Sequence, residues 1–246
     1  MNIALFIGKK NSRGVPGKNI MNFLGRPSCE YSFLAAKYSK IDKLYISTDS
    51  DDMKKMGERY NAFFIERPEK LAQSDTLTED VLYHAYQYIK DDLGNIEIDT
   101  ITLFFCNTPA IDIKLLNEAI DTVTTNKEID SCFSVAKYDM FSPARARKIN
   151  DNGIIEPFVD LKHIEGVSSL RDTQASSYFT DFSIQVMNPR CFDDIYNGPL
   201  PFKWQGHKSQ AIITDYGFDI DAPWQIPVIE KWLINRGFTE TTIPWK

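Results

Sequence analysis

The sequence predicts an α/β layered fold with a mostly parallel central sheet. Two observations carry that prediction. From residue 2 to residue 137, short apolar runs bounded by turn residues alternate with longer helical patterns. The first apolar run also leads directly into a loop rich in glycine and cationic side chains, where ligand sites lie in such sheets, beyond the carboxyl ends of the strands. The chain has 246 residues, 43% hydrophobic and 25% charged, which suits one domain over residues 1–246 with a sizeable core.

NIALFIG (2–8) reads as a buried strand, and CEYSFLAAKYSK (29–40) as a helix. KLYIST (43–48) is a strand. DSDDMKKMGERY opens with aspartates that favour a helix N-terminus. AFFIE is a short strand, and residues 76–92 place Val81, Leu82, Ala85, Tyr86 and Ile89 on one helical face. DTITLFF (99–105) is a strand. A helix follows over 112–125 through Leu115, Leu116, Ala119, Ile120 and Val123, and SCFSVAK (131–137) is again a strand. After residue 138 the pattern changes. Asn152-Gly153 marks a hairpin turn, SSYFTDFSIQVM (176–187) reads as a strand, and NGPLPFKWQGHKSQ as a loop. A final helix runs from about Trp224 to Arg236, with Gly237 as its stop. The irregular stretch 138–177 is set apart as a subdomain or an oligomer arm.

Bulk properties exclude several classes. The net charge of −6 argues against a nucleic-acid partner and leaves the N-terminal basic residues as a local feature suited to a small anion. Cys29, Cys106, Cys132 and Cys191 form no CxxC pair, so neither a zinc site nor a redox motif is indicated. No apolar run approaches the length of a membrane span, and no leader pattern is present. The expectation is a reduced, cytoplasmic protein without a membrane partner.

The basic loop GKKNSRGVPGKN fails as a Walker A motif, because Ser12 stands at the first glycine position and Asn19 at the hydroxyl position. Its glycines, Gly8 and Gly14 among them, let the backbone approach a phosphate closely, and Lys9, Arg13 and Lys18 can neutralise phosphate charge. The alternative is a solvated basic turn. Far along the chain, Asp219 and Asp221 flank Ile220 in GFDIDAP, and in an extended segment both carboxylates share one face. Such a pair near phosphates suggests a Mg²⁺ site. Loop and pair together describe nucleotidyl transfer. Cations hold a triphosphate, carboxylates hold the bridging metal, and positioning with charge stabilisation does the work. Lys9, Arg13, Lys18 and Asp219 are the candidate catalytic residues.

GKKNSRGVPGKN, YISTDSDDM, RPEKLAQSDT and GFDIDAP occur in the order and spacing that resemble the CMP-sialic acid synthetase family, the acylneuraminate cytidylyltransferases. The resemblance implies a doubly wound fold of the nucleotide-diphospho-sugar transferase type, CTP as donor, Mg²⁺ as cofactor, and a 2-keto sugar acid whose anomeric hydroxyl attacks the α-phosphorus. Carried over by position, it implies that Ser12 and Asn19 join the lysines at the triphosphate. Arg67 would read the base, with Ser74 and Asp75 beside it, and Asp219 and Asp221 would hold the metal. Arg145 and Arg171 stand where the family supplies cations for the sugar carboxylate, often across a homodimer interface, which would make 138–177 a dimerisation arm. The sugar-side segments depart from the family. FCNTPAI, containing Phe105, Asn107 and Thr108, replaces a glutamine by Phe105 and an arginine by Ile111. FTDFS, containing Phe179 and Asp181, replaces an arginine by Phe179 and a glycine by Phe182. These changes imply an acceptor related to sialic acid with a more apolar surface, such as a di-N-acylated, deoxygenated nonulosonic acid, unless the phenylalanines are core residues. Two other readings stay open: CMP-Kdo synthesis or transfer from another nucleotide, and a nucleotide-sugar-binding partner protein that has lost catalysis.

Overall fold

The computed structural model describes residues 1–10, 14–73, 75–164, 166–174, 176–215 and 217–245, with the side chain of Arg171 outside that description. Its strands are β1 (Asn2–Gly8), β2 (Asn22–Phe23), β3 (Arg26–Pro27), β4 (Lys43–Thr48), β5 (Phe63–Glu66), β6 (Thr100–Phe105), β7 (Ser131–Lys137), β8 (Arg147–Ile149), β9 (Ile155–Pro157), β10 (Tyr178–Met187) and β11 (Ser209–Thr214). Its α-helices are α1 (Ser28–Lys37), α2 (Asp51–Arg59), α3 (Thr78–Leu93), α4 (Ile113–Thr125), α5 (Arg190–Asp193) and α6 (Gln225–Asn235). Seven strands form the central sheet in the order β11-β7-β10-β6-β1-β4-β5. All pair in parallel except β10, which is antiparallel to both β6 and β7.

The two-residue period of a strand explains the layers. Ala4 and Phe6 of β1, Ile46 of β4 and Phe104 of β6 face α1, α2 and α4 through Phe33, Met53 and Leu116. The alternate residues Ile3, Leu5, Tyr45, Ile101 and Leu103 face α3 and α5 through Leu82, Ala85, Ile89 and Phe192. Strands covered on both faces must be apolar on both, which is why β1 and β6 read as continuous apolar runs rather than alternating ones. Helices on both faces make the sheet doubly wound. A third cluster lies at one end, where α6 packs Ile229 and Leu233 against Val15, Tyr31 and Ile220. Ile220 is the residue between the two aspartates, and it is wholly buried. A fully buried isoleucine contributes about 1.5–3 kcal/mol, so the aspartate segment and the basic loop are pinned to one core.

The predicted strands and helices through residue 137 appear with ends shifted by no more than three residues. Asp112 caps α4, accepting from Lys114 N (2.9 Å) and Leu115 N (3.4 Å). The stretch predicted as a loop from 197 to 210 contains a short turn at Lys203–Gln205 and the start of β11. Strand β10 alone in the central sheet runs antiparallel to its neighbours, which agrees with the expected mostly parallel sheet. The hairpin β8-β9 forms its own two-stranded sheet, apart from the central one, and turns through Gly153 at φ 76°. It belongs to the 138–177 stretch, whose exposed apolar side chains include Met140, Phe141, Ile149, Ile154, Ile155 and Phe158.

Candidate active site

The carboxyl ends of β1 and β6, with Arg67 just after β5, open onto a cleft of about 260 Å³. Gly8, Lys9, Lys18, Asn19, Arg67, Phe105, Asn107 and Asp219, all expected from the sequence, line it together with Thr76, Thr78 and Val81, which sequence reasoning missed. The basic loop is held in place by its own polar groups. Asn19 Nδ2 donates to the Lys9 carbonyl at 2.8 Å, and Lys9 Nζ donates to the Gln73 carbonyl at 2.8 Å. The Lys10 amide donates to Asp49 Oδ1 at 2.8 Å. Asp49 therefore anchors the loop rather than capping α2, whose N-cap residue is Ser50. Ser12, Arg13 and Ser74 lie outside the described residues.

The two halves of the site meet at Asp221. Lys18 Nζ is ion-paired with Asp221 Oδ1, with the lysine side chain 15% exposed and the aspartate 62%. A Cβ on Gly14 would stand 2.7 Å from the Asp221 carbonyl oxygen, so only glycine lets the loop run this close to the aspartate segment. Gln225, buried at the start of α6, accepts from the amides of Asp221 (2.7 Å) and Ala222 (2.6 Å). Asn107, in the turn after β6, clamps the same segment. Its carbonyl accepts from Ile220 N at 3.0 Å, and its Nδ2 donates to the Ile220 carbonyl at 3.3 Å and to Asp219 Oδ2 at 3.4 Å. Burial, then the neighbouring Asp221 carboxylate, pushes Asp219 up to about 6, against the opposing charge of Lys18. Two carboxylates that repel each other at a partly buried position are a donor set that a divalent cation relieves. That set fits Mg²⁺, which takes one or two protein carboxylates and completes its shell with phosphate oxygens and water. Among the described residues no group of three or more His, Cys, Asp or Glu side chains gathers.

Arg67 is buried below β4, its Nε donating to Ser47 Oγ at 3.3 Å and an Nη to the Ser47 carbonyl. Burial lowers its pKa from the ordinary value, and Asp49 opposes that shift. A guanidinium so held keeps its charge and a fixed plane at the cleft wall.

Other expected residues stand elsewhere. Among the described residues that line the cleft, Asp75, Arg145, Phe179 and Asp181 are not found. Asp75 borders a neighbouring cavity of about 640 Å³ beside Lys70 and His84. Arg145 Nε donates to Gln174 Oε1 at 2.6 Å on the 138–177 stretch, and the backbone of Arg171 opens a short turn there. Phe179 packs edge-on against Tyr138 (6.2 Å) and Phe141 (6.4 Å). Asp181 is buried and hydrogen-bonded by Ser134, Ser183 and Thr214. Thr108 is buried next to Asn107, its hydroxyl unpartnered among the described residues. Phe105 carries an aromatic group made of Phe182 (5.4 Å), Trp204 (6.3 Å) and, through Phe182, Phe202 (5.0 Å). Phe182 has φ 57°, in the left-handed region, where the resembled family has its glycine.

The cytidylyltransferase family profile matches residues 9–152. An N-acylneuraminate cytidylyltransferase of Oncorhynchus mykiss is 27% identical over 243 residues, 96% of this chain and 51% of the relative. A Helicobacter pylori protein described as a pseudaminic acid cytidylyltransferase and UDP-2,4-diacetamido-2,4,6-trideoxy-beta-L-altropyranose hydrolase is 28% identical over 62% of this chain and 29% of its own length. The chain thus spans about half or less of these relatives. A pseudaminic acid cytidylyltransferase of Campylobacter jejuni is 24% identical over 68% of this chain and 71% of the relative. In fold, the chain is similar to a CMP-2-keto-3-deoxy-manno-octonic acid synthetase solved with CTP, at TM-score 0.66 and 10% identity over 96% of this chain and 99% of that one. It is also similar to a 4-diphosphocytidyl-2C-methyl-D-erythritol synthase, at TM-score 0.64 and 11% identity over 94% and 98%.

Proposed function

The chain belongs to the cytidylyltransferase family, a family of nucleotidyltransferases, and from that premise we propose that it transfers CMP from CTP to a sugar acid. The acceptor is a 2-keto-3-deoxy acid of the nonulosonate kind. Its anomeric hydroxyl forms the new bond to the α-phosphorus as the bond to the β-phosphate oxygen breaks, and pyrophosphate leaves. The observation that carries this reading is the ion pair of Lys18, which lines the cleft, with Asp221 of the distant acidic segment, whose Asp219 lines the same cleft. Lys9 and Lys18, with Arg13 and Ser12 of the same loop, hold the triphosphate, aided by Asn19 and by close backbone approach at Gly8 and Gly14. Arg67 stands at the base end, fixed by Ser47. Asp219 and Asp221 would hold Mg²⁺, which when bound neutralises charge on the departing phosphates. The residues of this chain supply geometry and fixed charge, and no covalent enzyme intermediate is required.

The sugar acid rests against the side of the cleft bounded by Phe105 and Asn107. The aromatic group behind Phe105 favours an acceptor with an apolar face, and relatives described as acting on pseudaminic acid support that choice. The 138–177 arm, carrying Arg145 and Arg171, would pair with the same arm of a second copy and bring cations toward the acceptor's carboxylate. Among the described residues no helix is long and apolar enough to cross a membrane. Pyrophosphate release, measured with CTP, UTP and GTP against a panel of N-acetylneuraminic, di-N-acylated deoxy and eight-carbon 2-keto acids, tests the proposal. Turnover with CTP and a nine-carbon acid is expected. Silence across the whole panel would sink the enzymatic reading in favour of a binding protein, and preference for the eight-carbon acid would move the assignment to CMP-Kdo synthesis.

A further inference from the structure

Asp181 is a buried carboxylate, 4% exposed, outside the residues that line the cleft. Its Oδ1 accepts from Ser134 Oγ of β7 and, within β10, from Ser183 N (3.0 Å) and Ser183 Oγ (2.8 Å). Its Oδ2 accepts from Thr214 Oγ1 of β11. Ser134 Oγ in turn accepts from Ile184 N at 2.9 Å. Three strands therefore fix one carboxylate through charge-assisted bonds, which are about twice as strong as neutral ones. After β11 the chain passes directly over this knot. A Cβ on Gly217 would stand 2.9 Å from Asp181 Oδ2 and 3.1 Å from Ser183 Oγ. The Gly217 backbone is not left-handed, so glycine is required here by closeness and not by φ. Two residues on comes Asp219, and the segment is fixed again at Ile220 by Asn107 and at Asp221 by Gln225.

We infer that Asp181 is a positioning residue: it is the seat on which Gly217 rests, and that seat sets where Asp219 and Asp221 enter the cleft. The inference rests on the metal-assisted transfer proposed above. It gives Asp181 a positioning role in place of the sugar-ligand role expected from the sequence. Adding a methyl group at 217 lifts the segment off its seat and spreads the carboxylate pair. Shortening residue 181 makes room for that methyl group, so the two changes must be coupled.

The test measures binding of Mn²⁺ by electron paramagnetic resonance, with CTP present and no acceptor. Gly217→Ala is expected to weaken Mn²⁺ binding about tenfold, the scale on which changes behind a metal ligand act. In the Asp181→Ser background the same change is expected to cost less than about twofold. CTP binding in EDTA is expected to stay unchanged in all three variants. Thr214→Val, which frees Oδ2 without adding bulk, is expected to weaken Mn²⁺ about threefold and serves if Gly217→Ala does not fold. Unchanged Mn²⁺ binding in Thr214→Val, or an equal loss from Gly217→Ala in both backgrounds, overturns the inference while leaving the transfer reading intact. If the unmodified protein with CTP binds no Mn²⁺, the metal-assisted reading falls and the inference falls with it.

Discussion

Asp219 is the residue at which charge, burial and proposed chemistry coincide. Its carboxyl is raised from 3.8 to about 6, so the folded chain holds a proton there that the unfolded chain has already released. The stabilising proton is fully present below the unfolded value and is lost as pH rises through the folded one. In metal-free buffer the melting temperature of the parent should therefore fall relative to that of Asp219→Asn as pH climbs across this window. A flat difference between the two would mean that burial and the Asp221 carboxylate do not raise the Asp219 carboxyl. The same variant should lose pyrophosphate release by about a hundredfold or more while keeping its fold, since a neutral amide is a poor ligand for a hard cation. Arg67 offers a separate measurement. A lysine there keeps the charge but loses the two-point hold on Ser47 and the fixed plane. Arg67→Lys should raise the KM for CTP about tenfold with a smaller change in kcat, the pattern of lost ground-state binding. An unchanged KM would remove Arg67 from the nucleotide site.

Strand β10 shows how an element departs from its ideal form to serve a site. Its pairing with β7 breaks register between Thr180 and Gln185, and Phe182 occupies the left-handed region inside that break. The ring then turns onto Phe105 and Phe202. Within a strand alanine normally outranks glycine, because glycine loses more backbone entropy. At Phe182 that order should invert. Both replacements remove the ring, but only glycine removes the left-handed penalty, so Phe182→Gly should be more stable than Phe182→Ala by about 1 kcal/mol in urea unfolding. The usual order would show that the break carries no strain. This element also shows where reading the sequence succeeds and fails. The strand itself was legible from SSYFTDFSIQVM, and β1, β4, β6 and β7 were legible because burial on both faces leaves unbroken apolar runs. Its direction was not, because nothing local to a strand encodes which way its neighbours run. Strand β11 was missed because SQAIIT is a short edge strand with exposed Ala211 and Ile213 and reads like loop. Asp181 was placed on the sugar side by its segment, whereas its partners Ser134 and Thr214 come from strands that only the folded sheet brings together. The cleft itself was largely legible, because glycine, lysine and paired aspartate carry their chemistry in their identity. The residues that hold them, Asp49, Ser47 and Gln225, carry no such mark.

At the scale of the whole molecule, the β8-β9 hairpin within the 138–177 stretch forms a sheet of its own beside the central one. A two-stranded hairpin is marginal alone in water and needs a surface to pack on. Among the described residues strands β8 and β9 pair only with each other, and Ile149 and Ile155 are 73% and 67% exposed. Ile154 and Phe158 extend the same uncovered apolar surface. The chain invests a paired hairpin, closed by Asn150 and the Lys148–Glu156 ion pair, in presenting side chains that the fold itself leaves uncovered. A second copy offers an identical arm, and a twofold axis lets one such patch cover another. Sedimentation velocity should therefore find the parent as a dimer. Ile155→Lys places a charge in the centre of the contact and should give a monomer whose melting profile loses only the contribution of association, because the sheet core is untouched. A parent that sediments as a monomer at micromolar concentration, or a variant that remains dimeric, would reject this arrangement. If Arg145 reaches the acceptor only across the dimer, the monomeric variant should also lose affinity for the sugar acid while keeping that for CTP, because Lys9, Lys18, Asn19 and Arg67 line one cleft within a single chain. Equal loss toward both substrates would show instead that the arm supports the fold as a whole.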